Sequence, residues 1–408
     1  MMFYKETEFK ETPIGKIPKE WELTEIKKVC EFIRGTEPGS KSYNTEGIGY
    51  RFIRVSDLSK QILEQVFTSE DKNKLIFCNK EDILLALDGV PGVVNKGFEG
   101  AISSGIRIVK PKTLNIIKEF LFYILQHRIV QKVIENYTTG TTIKHASRAI
   151  NFIKIPLPPL PEQQKIAEIL STVDEAIQKT NEVIAKTERL KKGLMQELLT
   201  RGIGHKEFKE TPIGKIPKDW EVVRLGDKEI AEVIMGQSPP SNTYNDKGEG
   251  LPFLQGKLEF GEIYPSPVLY CSNPIKIAEQ GDILISVRAP VGDVNIAPYR
   301  LCIGRGLAAI RFNSKNANSW FYFYYLQRVK NFLENLGKGS TFKAINKDDL
   351  TELKIPLPPL PEQERIVEIL STIDKKLEME RREKARLERI KQGLMDLLLT
   401  GKIRVKVD

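Results

Sequence analysis

The nonapeptide "IPLPPLPEQ" stands at Ile155–Gln163 and again at Ile355–Gln363. Two further blocks recur with it in the same order. "FKETPIGKIPKEW" (Phe9–Trp21) returns as "FKETPIGKIPKDW" (Phe208–Trp220), and "KKGLMQELLT" from Lys191 returns as "KQGLMDLLLT" from Lys391. A repeat this long spans a whole globular unit with its connector, so the chain is constrained to a tandem duplication. Between leader and proline block the copies diverge: "RFIRVSDLSKQILEQVFTS" has no close counterpart in "PFLQGKLEFGEIYPSPVLY". Faint echoes remain in "KEDILLALDGVPG" against "QGDILISVRAPVG" and in "GTTIKHA" against "GSTFKAI". Near-identical connectors around divergent interiors imply one frame that holds two different globular units.

After "PLPPLP" the pattern turns helical. Apolar residues fall at Ile166, Leu170, Val173, Ile177, Ile184, Leu194 and Leu198, and in the second copy at Ile366, Leu370, Ile373, Leu377, Leu387, Leu394 and Leu398. These steps of three and four, or their sums, make a heptad-like seam. At 1.5 Å per residue each rod is roughly 57 Å long. A lone rod cannot bury its stripe, so the two are expected to pack as an antiparallel coiled coil. Pro161 and Pro361 suit the first helical turn, and Glu162 and Glu362 complement the positive end of the helix dipole. Gly202 and Gly401 suit a left-handed stop at the far end. Polar gaps interrupt the seam at Thr180, Thr187 and Lys191, and at Glu380, Lys384 and Lys391.

A second apolar line runs through Ile169, Val183 and Leu190, and through Ile369 and Ile390. It can pack on the globular units or dock a partner subunit. Gly193 and Gly393 sit mid-helix, where glycine costs up to about 1 kcal/mol relative to alanine. Close approach of another helix explains them; an accident carried along by duplication also does. The proline segment itself is read as a stiff joint between globular unit and rod.

The divisions expected are a globular domain at 1–154, a helical spacer at 155–205, a second globular domain at 206–354 and a second spacer at 355–408. Within each globular domain, short β-rich runs precede a helix, Ile116–Asn136 in the first and Ser319–Leu336 in the second, which suggests an α+β class. The aromatic cluster Trp320–Tyr325 is assigned to the core face of its helix rather than to stacking on bases, and Trp21 and Trp220 are assigned as structural anchors.

Composition narrows the function. The chain of 408 residues has no run of eighteen apolar residues and no apolar leader, so a cytoplasmic, non-membrane protein is expected. Four scattered cysteines and three scattered histidines argue against zinc, other metal sites and a disulfide framework. The phosphate-loop, dinucleotide-binding, zinc-protease and nucleophile-elbow motifs are missing from the sequence, as are the signatures of an amino-methyltransferase and of an acidic–Lys nuclease cluster. A non-catalytic binding protein is expected.

A net charge of +9 points toward a polyanion. Several of the basic candidates lie beside small polar residues, as in "GTTIKHASR", "GKGSTFK" and "CIGRG", a setting that suits phosphate contacts and base-edge readout. They are Arg34, Lys41, Arg54, Lys96, Arg107, Lys144 and Arg148 in the first unit, and Lys257, Arg288, Arg305, Lys338 and Lys343 in the second.

The repeated "PLPPLPEQ(Q/E)(K/R)I(A/V)EIL" block, the variable units ending "GTTIKHASRAINFIKIPLP" and "GSTFKAINKDDLTELKIPLP", the "GDILI" element and the tryptophan-ended leaders together resemble the specificity (S) subunit of type I restriction–modification systems. The resemblance covers essentially the whole chain. It implies two target-recognition domains, each reading one half of an asymmetric bipartite site on double-stranded DNA. It also implies that the helices set the half-site spacing and dock two methyltransferase subunits, through Ile169, Val183, Leu190, Gly193, Ile369, Ile390 and Gly393. Restriction/translocase subunits would join through the methyltransferases. S-adenosylmethionine, ATP and Mg would belong to those partners and not to this chain. Two readers on one antiparallel pair should address one DNA face about one turn apart, roughly 34–36 Å. The duplication further predicts that a half-chain, Met1–His205, dimerises. The alternative is a two-armed protein scaffold without a DNA role.

Overall fold

A computed structural model describes residues 3–59, 64–336 and 344–406. The chain forms two compact units, Met1–Asn181 with Arg382–Asp408, and Glu182–Arg381. Each holds one globular stretch together with the beginning of one long helix and the end of the other.

The first rod is continuous helix over Leu160–Arg201 and the second over Leu360–Leu398. Pro161 and Pro361 do lie in the first turns, and Gly202 and Gly401 end the rods at φ of +65° and +70°. In the first unit, Ile166 and Leu170 from the start of one rod share a core with Met395, Leu398 and Leu399 from the end of the other. In the second unit, Ile366 and Leu370 share a core with Leu198 and Leu199. Within each unit the rods therefore pack antiparallel, start against end. Two of the polar gaps are closed rather than solvated. Thr180 and Thr187 are buried, and the Thr180 hydroxyl donates back to the Ala176 carbonyl at 3.0 Å.

Each globular stretch has the same two sheets. In the first unit an antiparallel four-stranded sheet runs in the order Val94–Asn95, Ile83–Ala86, Ile106–Pro111, Cys30–Arg34. Its counterpart reads Val294–Ile296, Ile283–Ser286, Leu307–Phe312, Ala231–Met235. The central "DILL" and "DILI" runs are buried on both faces, which is why they read as unbroken apolar runs rather than as an alternation. Ile83 and Leu85 join the helical core while Leu84 and Ala86 face the other sheet. The same split places Ile283 and Ile285 against Leu284.

The second sheet has five strands. Its order is Tyr43–Asn44, Val66–Thr68, Tyr50–Ile53, Gly100–Ile102, Phe77–Cys78, matched by Tyr244–Asn245, Leu269–Cys271, Leu251–Leu254, Leu301–Ile303, Ile277–Ala278. One pair in each is parallel, Phe52 opposite Ala101 and Phe253 opposite Cys302. The divergent interiors thus share one topology, and the α+β expectation holds.

Two expectations change in detail. The helix expected over Ile116–Asn136 is two helices, Lys118–Gln126 and Arg128–Asn136, broken at His127, whose backbone is extended at φ −75° and ψ 148°. His127 Nδ1 accepts the Ile129 N–H and so caps the second piece. The matching helix is likewise interrupted at Val329, between Ser319–Arg328 and Lys330–Leu336. The proline segment, for its part, is a strand before it is a hinge. Lys154–Leu157 pairs antiparallel with Glu22–Glu25, and Lys354–Leu357 with Glu221–Arg224.

The aromatic cluster is core, as expected: Phe321 to Tyr325 are buried, and the Tyr322 hydroxyl donates to the Pro356 carbonyl at 3.0 Å. No helix among the described residues is long and apolar enough to cross a membrane.

Candidate nucleic-acid interface

The joint between unit and rod explains the "PEQ" repeat. Gln163 is fully buried; its amide donates to the carbonyls of Asn115 and Pro158 and accepts the Ile117 N–H. Gln363 repeats this with Asn316, Pro358 and Asn318. Glu162 accepts the Trp21 indole N–H at 3.0 Å and Glu362 the Trp220 indole N–H at 2.9 Å. A third fastening joins the rods to the helix of the globular stretch. Asp174 accepts the Tyr123 hydroxyl at 2.9 Å and pairs with Lys391 at 2.7 Å; Asp374 accepts the Tyr324 hydroxyl at 2.7 Å and pairs with Lys191 at 2.6 Å. Burial and the neighbouring carboxylate push both phenols up in pKa, so each stays a donor.

The opposite end of each sheet pair forms a corner with matched backbone bonds. Gly35 N–H meets the Ile106 carbonyl and Gly236 N–H the Leu307 carbonyl, at 3.1 and 2.9 Å. Thr36 and Gln237 donate to Ile102 and Ile303, Leu87 and Val287 to Gly105 and Gly306, and Ser103 and Gly304 to Ile53 and Leu254. A Cβ at Gly35 would lie 2.2 Å from the Ser103 carbonyl oxygen, and one at Gly236 would lie 2.2 Å from that of Gly304, so glycine is required at both positions.

The basic candidates distribute unevenly around this frame. Arg34 and Arg107 face each other across adjacent strands, and both donate to the Ser104 carbonyl, at 3.2 and 2.7 Å. Arg107 is buried; its guanidinium also donates to Ser147 Oγ and lies 3.8 Å from Asp88. Burial outweighs that carboxylate and lowers its pKa. Lys144 pairs in register with Gly89, one residue from the His145–Asp88 contact of 2.8 Å. Arg148 follows Ser147 and is exposed. Lys41 is exposed in the turn before Tyr43. Arg54 donates to the Glu64 carbonyl and lies near Asp57. These residues gather along one end of the unit, whereas Lys96 sits over the Phe122 ring, 4.8 Å from its centre.

In the second unit Arg305 and Arg288 are exposed on the corresponding loops, Arg288 bridging Ala344. Lys257 is tied up in an ion pair with Asp293, which also takes Lys330. Lys338 and Lys343 lie outside the described residues. Corner side chains that went unread in the sequence include Glu37 in the first unit and, in the second, Gln255, in the place of Arg54, and Ser238, in the place of Glu37. Their signal was the alignment of "FIR" with "FLQ", which only the strand pairing makes plain.

The docking candidates divide between the units. The first holds Ile169, Ile390 and Gly393; the second holds Ile369, Val183, Leu190 and Gly193. Ile169 and Ile369 are half-buried against the cores, and Val183 is half-buried. Leu190 and Ile390 are exposed, at 52% and 39%, one turn before glycines whose Cβ positions meet nothing within 4 Å. Among the described residues no group of His, Cys, Asp or Glu side chains could hold a metal ion.

Repeated joints, matched sheets and divergent corners define a class of duplicated, two-unit proteins. The chain's residues 18–189 and 217–389 match the family model of the type I restriction modification DNA specificity domain, and the chain belongs to that family. It is 44% identical to a protein provisionally named the type I restriction enzyme MjaX specificity subunit of Methanocaldococcus jannaschii, across 100% of this chain and 99% of the relative. It is 32% identical to the type I restriction enzyme MjaVIII specificity subunit of the same organism, across 100% and 98%. A solved structure from work on complex assembly and conformational transition of the type I R-M system shares 30% identity at a TM-score of 0.60, covering 95% of this chain and 99% of that one.

Proposed function

We propose that this chain gives a type I restriction–modification complex its DNA sequence specificity. The stretches 1–154 and 206–354 each read one half of an asymmetric bipartite site on double-stranded DNA. The rods set the half-site spacing and dock two methyltransferase subunits, through which restriction/translocase subunits join. Leu190 with Gly193, and Ile390 with Gly393, are the docking positions that the chain leaves uncovered. Methylation with S-adenosylmethionine and ATP-driven cleavage with Mg fall to the partners, and the work takes place in the cytoplasm.

The observation that carries this proposal is the pairing of matched frames with unmatched corners. Four backbone hydrogen bonds recur at each corner while the exposed polar side chains differ. A scaffold that gripped the same partner twice would keep the same side chains. The test is selection from a random duplex library by the chain assembled with its methyltransferase. Enriched sequences are expected to share two different half-sites at a fixed separation, with affinity falling steeply as salt rises. Retention of all sequences alike, or of none, would overturn the proposal in favour of a scaffold.

A further inference from the structure

The corners differ in chemistry as well as in sequence. In the first unit, Glu37 accepts the Ser104 N–H and hydroxyl through one carboxylate oxygen and the Tyr43 hydroxyl through the other, at 3.2, 2.9 and 2.7 Å. Arg54 projects from the end of the neighbouring strand, and Asp88 and His145 complete the rim. This corner mixes acids with bases.

The second unit keeps the floor and replaces the rim. Tyr244 stacks on Phe253 at 4.6 Å, as Tyr43 packs on Phe52 at 5.2 Å. Ser238 stands in the place of Glu37, Gln255 in that of Arg54, Arg305 in that of Ser104 and Arg288 in that of Asp88. The Gln255 amide donates to Ser238 Oγ at 3.0 Å, and the same hydroxyl accepts the Arg305 N–H at 3.2 Å. These groups line a cavity of about 460 Å³ over the aromatic floor. Among the described residues the Arg305 and Arg288 side chains have no ion-pair partner. This corner carries amide and guanidinium groups and no acid in the places of Glu37 and Asp88.

A planar amide offers one donor and one acceptor, the pattern that matches adenine N6 and N7. A guanidinium offers two donors, the pattern that matches guanine O6 and N7. A carboxylate only accepts, and suits the amino group of cytosine. Such groups distinguish bases only when their backbone is fixed, and the matched hydrogen bonds and close-approach glycines fix it here.

Resting on the DNA-reading role proposed above, we infer that these corners are the base-reading edges. Gln255 and Arg305 read purine edges in one half-site, and Arg54 with Glu37 reads the other. Phosphate contacts fall to the flanking basic residues, among them Lys41 and Arg148.

The test uses the full chain with its methyltransferase in a host whose genome is then read for methylated bases. Arg305→Ala and Gln255→Glu are expected to relax or change the base preference in the same half of the motif, by on the order of tenfold at one position, and to leave the other half intact. Arg54→Gln is expected to change the opposite half. The unaltered half serves as the folding control within each experiment, and Gln255→Glu, which keeps the side chain's shape, covers the case in which Arg305→Ala loses the fold. An unchanged motif in these variants, or a uniform loss across both halves with the protein folded, overturns the inference while the reading role stands. The absence of any motif with the unaltered chain overturns the reading role itself.

Discussion

Arg404 and Glu162 form a buried, two-bonded ion pair that ties the end of the first unit to the beginning of its rod. The guanidinium donates through Nε at 2.6 Å and Nη2 at 2.9 Å, and it reaches Glu6 and Glu20 as well. The strand Ile403–Val405 pairs antiparallel with Phe3–Lys5, so the first and last described strands lie side by side. The second unit performs the same fastening with other groups: Glu362 takes His205 Nε2 and the Ile203 N–H, each at 2.9 Å. Removing one member of a buried pair leaves a charge without a partner and costs roughly 3–5 kcal/mol. Arg404→Met is therefore expected to lower the unfolding midpoint of the first unit sharply, and Arg404→Met with Glu162→Gln to recover part of the loss. Chemical denaturation of the single and double variants measures this. A single-variant loss below about 1 kcal/mol would contradict the role assigned to the pair.

The half-chain Met1–His205 should associate into a dimer. In the first unit the second rod supplies Lys391 to Asp174 and Asp396 to His127, and the strand after it supplies Arg404 to Glu162. At the corresponding positions the first rod and its joint carry Lys191, Gln196 and His205. A second copy can thus cover the core that the missing rod exposes. Sedimentation should give twice the half-chain mass. A folded, strictly monomeric half-chain would contradict the exchange.

His127 makes the first unit acid-sensitive. It is buried, and burial holds its imidazole below the ordinary value although Asp396, 3.1 Å away, pulls the other way. A folded-state pKa below the unfolded value means that the unfolded chain binds the proton first. The stability is therefore present above about pH 6.5 and lost as pH falls from there through the folded value. His127→Gln should flatten the decline in stability between about pH 7.5 and 5.5. An unaltered slope would contradict the assignment.

The four cysteines should be inert in the native protein. All are buried; burial pushes Cys30 up to about 12, and Cys78 and Cys302 up to about 11. Little thiolate forms at Cys30, Cys78 and Cys302 near neutral pH, and burial shields all four, so labelling by a thiol reagent should wait for denaturant. Rapid native labelling would contradict the burial.

The frame was legible in the sequence because duplication printed it twice. The rods, their proline starts and glycine stops, and the buried aromatics Phe321–Tyr325 follow from local spacing. What stayed hidden depends on distant partners. Glu162 looked like a helix-dipole acid, but its indole and guanidinium partners lie at Trp21 and Arg404. Gln163 carries no local signal of its role, yet it closes the turn at Asn115–Ile117. The break at His127 depends on a ring that caps one helix and reaches Asp396. The common topology of the variable interiors was obscured because backbone hydrogen bonds carry it and leave the side chains free. That freedom is what sets Arg54 opposite Gln255 and Ser104 opposite Arg305, and it is why one basic candidate, Arg107, is spent inside the unit while Gln255 was passed over.

The central claim, two different readers on one frame, is tested most directly by sequencing methylated bases in a host that expresses this chain with its methyltransferase. One bipartite motif with two unlike halves and a fixed gap is expected, and exchanging residues 206–354 for those of a relative should replace one half only. A palindromic motif, or an exchange that alters both halves together, would contradict it.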